Sequence, residues 1–190
     1  MIRVVFVDDH PALRAGLLTV LQHEPGLVPV GSASGERELH PLLRRTRPDV
    51  VLLDYNLAGC DGIQLCRRVK TGDPKPAVLM YTAYDSAELA LPAALAGADG
   101  IVEKGALAED LFDAIRAVAR GEQRLPPISR DDLKQANRRI DEQDLPLLGL
   151  LLDRTTKDDI ADVMRIDAEQ LELRVERMLC QLRIDAEAAR

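Results

Sequence analysis

IRVVFVDDH, residues 2–10, is a short apolar run that stops on two adjacent aspartates, and the same construction recurs along the chain. VVLLD (50–54) ends in Asp54, AVLMYT (77–82) in Thr82 and GADGIVEK (97–104) in Lys104. Short runs rich in Val, Ile and Leu, separated by stretches of helical periodicity, have the pattern of buried parallel strands. With LVPVGSA (27–33) as a further strand, the reading is an α/β fold built on a doubly wound, five-stranded parallel sheet. In an open parallel sheet, ligand chemistry gathers outside the carboxyl ends of the strands. Asp8, Asp9, Asp54, Thr82 and Lys104 are therefore expected around one crevice.

The chemistry of such a crevice is restricted. Carboxylates repel by about 4 kcal/mol per pair at ~4 Å in an effective dielectric of about 20. Either one takes a proton or a divalent cation neutralises the set. A hard oxygen cage with few ligands and room for water suits Mg2+ better than Ca2+. One carboxylate can then act as nucleophile toward a phosphoryl group, while Lys104 and Thr82 neutralise and hydrogen-bond its oxygens.

Residues 1–120 resemble the receiver domain of a bacterial two-component response regulator, a flavodoxin-like fold. DDHP (8–11), DVVLLD (49–54), YTA (81–83) and GADGIVEK carry the resemblance, and point to the NarL/LuxR (FixJ) branch with a helix-turn-helix output. The resemblance implies Asp54 as phosphoacceptor, charged by a partner histidine kinase. It implies Asp9 as direct Mg2+ ligand, Asp8 as ligand through water, and the Asn56 carbonyl beside Asp54 in the metal shell. Thr82 becomes the switch hydroxyl and Lys104 the phosphate partner. A homodimer formed on phosphorylation is expected, and the protein is a phosphoacceptor rather than a turnover enzyme. Phosphatases of the haloacid-dehalogenase type also use an Asp nucleophile after a strand. They need a second Asp two residues on, where this chain has Asn56.

Three positions depart from the family pattern. Leu57-Ala58 stands where Met-Pro is usual, and Ile101 where a switch aromatic is usual. Tyr84, two residues after Thr82, is expected to shield a phosphorylated Asp54 from water. Elsewhere, Leu13, Leu17, Val20 and Leu21 form a core-facing stripe on the first helix, and Asp85 with Glu88 reads as a capping box. Pro41 and Pro92 fall inside the second and fourth helices, which should be bent or end differently. His10, His23 and His40 lack metal-ligand spacing and read as structural or solvated.

The 190 residues are 46% hydrophobic but only 3% aromatic, so the cores must be aliphatic. Cys60, Cys66 and Cys180 lack CxxC spacing, against disulfides or zinc. The longest apolar stretch, LPLLGLLL (145–152), falls far short of the roughly 20 residues that span a bilayer, and no signal peptide is visible. A cytoplasmic protein without membrane contact is expected.

RLPPIS (124–129) marks the boundary. Residues 121–140 read as a linker with a short helix, and 141–190 as a small all-α, LuxR-like helix-turn-helix output domain. Ser129, Thr156 and Asp167 stand at helix N-caps. Where the family's reading face commonly runs Lys-Thr-Val-Lys-Asn-His, this chain has Glu169, Gln170, Leu171, Glu172, Leu173 and Arg174. Residues 121–190 hold 12 basic and 16 acidic side chains, whereas DNA-binding modules usually show a basic footprint. Two outputs follow. Gln170, Arg174 and Arg177 contact DNA from a dimer, or the helix has turned to a protein partner through Leu173 and its acidic neighbours. In a variant of the first, Arg154, Lys157 and Arg183 hold DNA and the acidic face is inert.

Overall fold

The computed structural model of the chain describes residues 1–153 and 155–183, apart from the side chain of Cys60. In chain order its strands are β1 (Ile2–Val7), β2 (Leu27–Ala33), β3 (Val50–Leu53), the hairpin pair β4 (Asn56–Leu57) and β5 (Cys60–Asp61), β6 (Ala77–Thr82) and β7 (Gly100–Glu103). The main sheet runs β2-β1-β3-β6-β7, with every neighbouring pair parallel. Successive side chains in a strand point to opposite faces. Val4 and Phe6 accordingly face α1 (Pro11–His23) and α5 (Ala108–Ala119), whereas Val5 and Val7 face α2 (Glu36–Thr46), α3 (Gly62–Thr71) and α4 (Ser86–Ala96). With both faces covered, Val50–Leu53 is wholly buried, which is why that run is continuously apolar.

The helices follow the expected pattern with two differences, at Val20 and at the start of α4. Leu17 and Leu21 are buried on α1, but Val20 is 45% exposed, since it lies one residue before Leu21 and turns off the stripe. Asp85 caps α4 by accepting from the Ala87 N–H rather than in a box with Glu88. Pro41 and Pro92 both lie within their helices, and α2 and α4 run through them. On α4, burial of Leu89–Ala93 offsets the proline cost of about 3 kcal/mol.

After α5, Gly121 takes a left-handed turn (φ 81°), and the chain lays Arg124 along the outer edge of β7. The Arg124 N–H donates to the Asp99 carbonyl (2.8 Å), and the Arg124 carbonyl accepts from the Ile101 N–H (2.9 Å). The connector thus covers an otherwise open sheet edge. There follow α6 (Arg130–Arg139), a single 3-10 turn (Glu142–Asp144), α7 (Leu145–Leu152), α8 (Lys157–Met164) and α9 (Ala168–Gln181). Ser129 and Asp167 each start a helix with a complete capping box, and Thr156 accepts from the Asp159 N–H. Leu147, Leu148, Leu171, Val175, Met178 and Leu179 join the same apolar cluster as Cys66, Leu91 and Leu95 of α3 and α4. No described helix is long and apolar enough to cross a membrane.

Candidate functional site

The strand register sets the crevice. Asp8 follows β1, Asp54 follows β3, Thr82 ends β6 and Lys104 follows β7. Backbone bonds from Asp54 N to the Val7 carbonyl (2.9 Å) and from Lys104 N to the Thr82 carbonyl (2.7 Å) carry the sheet ladder into the loops. Asp8, Asp54 and Thr82 are buried. The Lys104 ammonium bridges the two carboxylates, 2.7 Å from Asp8 Oδ2 and 2.8 Å from Asp54 Oδ2. Asp9 is partly exposed at the rim, and its Oδ2 accepts from the Ala58 N–H at 3.1 Å, tying the loop after Asp54 to β1. Asn56, at the start of β4, donates its backbone N–H to the Asp54 carboxylate.

Electrostatics separates the two buried carboxylates. Burial pushes both upward. At Asp54 it prevails, reinforced by the negative Asp8 against the hydrogen bond and charge of Lys104, and the carboxyl sits above its ordinary value. At Asp8 the Lys104 hydrogen bond and the His10 N–H outweigh burial, and the carboxyl sits below. Burial lowers the Lys104 ammonium, but Asp54 and Asp8 together hold it above its ordinary value.

The donor set fits a hard divalent cation. One ligand atom each of Asp8, Asp9, His10 and Asp54 lies within 4.8 Å of the others. Asp9 Oδ1 is buried, and its near neighbour is the His10 ring, whose Nδ1 lies 2.7 Å away. Asp8, Asp9 and Asp54, with the Asn56 carbonyl at the rim, are the residues that would hold Mg2+. His10, which its spacing had set aside, belongs to this cluster, and its adjacency to Asp9 was the available signal.

Around the crevice, Tyr55 and Tyr84 meet edge to face with ring centroids 5.1 Å apart. The Tyr84 N–H donates to Thr82 Oγ1 at 3.0 Å, fixing the hydroxyl. Ile101 is buried in the core. The candidate DNA residues lie elsewhere, on α9, and all three have intramolecular partners. Gln170 closes the capping box with Asp167, while Arg174 and Arg177 both bond the fully buried Asp144 carboxylate. Glu172 is held from the other side by the buried Arg67 of α3, through two bonds of 3.0 and 2.9 Å, and by Lys157. Arg183 lies 3.4 Å from Asp61, and Arg154 is outside the described residues.

Comparison with known proteins agrees with this geometry. The family model for the response regulator receiver domain matches residues 4–116. The chain is 34% identical over 192 residues to the DNA-binding transcriptional activator DevR/DosR of Mycobacterium tuberculosis, covering 96% of this chain and 88% of that protein. It is 30% identical over 196 residues to the transcriptional regulatory protein LiaR of Bacillus subtilis, covering 96% and 91%. Among solved structures, a LuxR-family two-component response regulator from Aurantimonas is 33% identical with a TM-score of 0.62, covering 70% of this chain and 94% of that one. With its parallel sheet, its acidic crevice and these relatives over nearly its full length, the chain belongs to the response regulators of the NarL/LuxR type.

Proposed function

We propose that residues 1–120 accept a phosphoryl group on Asp54 from a histidine kinase, and that 141–190, joined through 121–140, deliver a transcriptional output on DNA. The observation that carries the phosphoacceptor reading is the Lys104 ammonium bridging Asp54 and Asp8 at the strand ends. In the transfer, an Asp54 carboxylate oxygen forms the bond to phosphorus, and the donor's bond to phosphorus breaks with its electron pair returning to the donor. A bound Mg2+ supplies charge neutralisation for the incoming phosphoryl oxygens. Lys104 exchanges its carboxylate partners for a phosphoryl oxygen, and Thr82 donates its hydroxyl to another. Tyr84, beside Thr82 and packed on Tyr55, restricts water approaching Asp54.

The added charge of about −1.5 to −2 changes the surface of α4. α9 packs there and on α3, so the unphosphorylated form holds its output helix against the receiver, and phosphorylation loosens it toward a homodimer acting in the cytoplasm. DevR/DosR, a relative along nearly the whole chain, is a DNA-binding transcriptional activator, which supports DNA as the target. One observation favours a protein partner instead: Leu173 is 59% exposed on α9 beside the acidic Glu169 and Glu176.

The test has two parts. With Mg2+ and a small phosphodonor, the wild-type chain should gain one phosphoryl group by intact mass and Asp54→Asn none. Phosphorylation of that variant would refute the assignment. Fluorescence anisotropy on duplex from its own upstream region, with and without beryllofluoride across a salt series, then separates the outputs. Binding that grows on activation and weakens steeply with salt supports DNA. No binding at low salt by an activated protein supports the protein partner.

A further inference from the structure

Resting on the reading of the chain's output as DNA binding, we propose that α6 supplies the phosphate contacts that α9 lacks, through a basic stripe of Arg130, Lys134 and Arg138. The three stand four residues apart, so at about 3.6 residues per turn they fall within about 80° of one another around the helix, with Asn137 beside them. All four are exposed. The other side of the helix is apolar: Ala136 and Ile140 are buried, and Leu133 packs on the same core. That packing fixes which way the stripe faces, and the capping box of Ser129 and Asp132 holds the first turn.

Positive charge on the rest of the output half is already engaged. Of the described cations of 141–190, Lys157, Arg174, Arg177 and Arg183 each meet a carboxylate, which leaves Arg165. On α6, Arg130, Arg138 and Arg139 have no carboxylate partner among the described residues. Lys134 pairs with Asp131 at 2.9 Å, but both side chains are mostly exposed, and such a pair holds weakly. Asp132 is occupied in the capping box, where its carboxylate accepts from the Ser129 N–H, and no acidic residue follows it in the helix. Helix stability does not account for the arrangement. Cations favour the last turn, where Arg138 and Arg139 lie, but Arg130 opens the helix, where the macrodipole opposes a positive charge.

Charge complementarity names the occupant. At about 1.5 Å per residue, the run from Arg130 to Arg138 spans about 12 Å. A duplex carries one negative charge per about 1.7 Å of axis, so it meets the stripe with several phosphates over that length. The two arginines can each grip a phosphate through two parallel N–H bonds, and the Asn137 amide donates a further one. Such contacts hold register on the duplex and carry no sequence information, so α9 keeps that task. Because the stripe is open in the unphosphorylated form, weak binding without sequence preference precedes activation.

The experiment uses the full chain treated with beryllofluoride, with anisotropy on the upstream duplex and on random duplex across a salt series. Arg130→Gln, Lys134→Gln and Arg138→Gln combined should weaken binding to both duplexes at least about tenfold. The slope of log affinity against log salt should become shallower by about 2–3, near 0.9 for each lost phosphate contact, and by about 1 for Arg138→Gln alone. Arg130→Lys with Arg138→Lys, which keeps the charge, should retain the slope. All of these variants should match the wild type in circular dichroism and in phosphorylation of Asp54. A folded triple variant with wild-type affinity and slope would overturn the stripe and leave the DNA output standing. A wild type that binds neither duplex at low salt would overturn the DNA output, and the part of α6 with it. Vesicles of phosphatidylglycerol and phosphatidylcholine test a second polyanion: binding to them through the stripe, without binding to duplex, would overturn DNA as its occupant.

Discussion

Asp54 and Asp8 share one ammonium that lowers both, and they are set apart by the rest of their surroundings, since Asp54 is dominated by its burial while Asp8 also holds the His10 N–H. This arrangement was legible from residue types alone, because Asp8, Asp9, Asp54, Thr82 and Lys104 each close an apolar run. The contact of His10 with this set was not, because its adjacency to Asp8 and Asp9 does not say that the ring turns back to meet both carboxylates. At a second residue burial prevails over the charges that oppose it, Lys70 and Arg67. Cys66, fully buried in α3 with Sγ toward the Ala96 carbonyl, has its thiol pushed up to about 12 by desolvation. Its sign is that of a raised group: the folded chain keeps a proton that the unfolded chain releases above its ordinary value of 9.0. The stabilisation is complete below that value and is lost as pH rises toward about 12. Native protein alkylated at about pH 8 should therefore leave Cys66 unmodified by peptide mapping, while the exposed Cys180 is labelled. Urea unfolding should show stability falling from about pH 9 upward, and Cys66→Val should flatten that fall. Rapid native labelling of Cys66 would refute the burial it rests on.

Gly62 links an element boundary to the chemistry. α3 begins at Gly62, whose N–H donates to the Tyr55 carbonyl at 2.8 Å, and a Cβ there would stand 2.2 Å from the Asp54 carbonyl oxygen and 2.7 Å from Tyr55 Cα. Both obstacles are backbone, so they cannot swing aside as a side chain would. Gly62→Ala should shift the loop carrying Asp54 and Asn56, lowering stability by about 1–3 kcal/mol as overpacking does. Mg2+ affinity should fall with it, at least about tenfold, as when outer-shell partners are lost. Denaturant melts and calorimetry check both, and unchanged Mg2+ binding would mean that the loop is not positioned from α3. The glycine itself was visible in YNLAGCDG, but its need was not, because a backbone approach leaves no mark on residue type. The β4–β5 hairpin is similarly silent, since strands of two residues carry no periodicity. The main strands were readable because burial on both faces keeps β3 and most of β1 and β6 apolar, even though the edge strand β2 is only partly buried. Pro41 and Pro92 stand inside α2 and α4 as the sequence placed them, but a local penalty says nothing of the packing that offsets it.

Arg67 and Glu172 stand 105 positions apart in the chain, and no local pattern announces their pairing. The acidic residue read from the sequence as an obstacle to DNA is, in the folded chain, an anchor of α9 on the receiver. Gln64, donating to Cys180 Sγ at 3.2 Å, and Asp61 beside Arg183 extend the same contact. The arrangement is not held by charge alone, because α4 also packs its apolar side on α7 and α9. Removing one partner of a buried ion pair costs about 3–5 kcal/mol. The Glu172 side chain is 32% exposed, so the loss here should be smaller, about 2 kcal/mol. Arg67→Glu is the informative change, since it places two carboxylates together at the interface without altering any residue of α9. It should expand the molecule in small-angle scattering and expose residues 121–129 to protease. Adding Glu172→Arg should restore compactness in part, the remainder being withheld by Lys157, which then faces a like charge. On DNA, Arg67→Glu alone should bind as the beryllofluoride-treated wild type does, because the reading helix is chemically unchanged and only its cover is gone. An expanded Arg67→Glu that still ignores DNA would mean that the acidic face of α9, and not its burial, keeps it from the duplex.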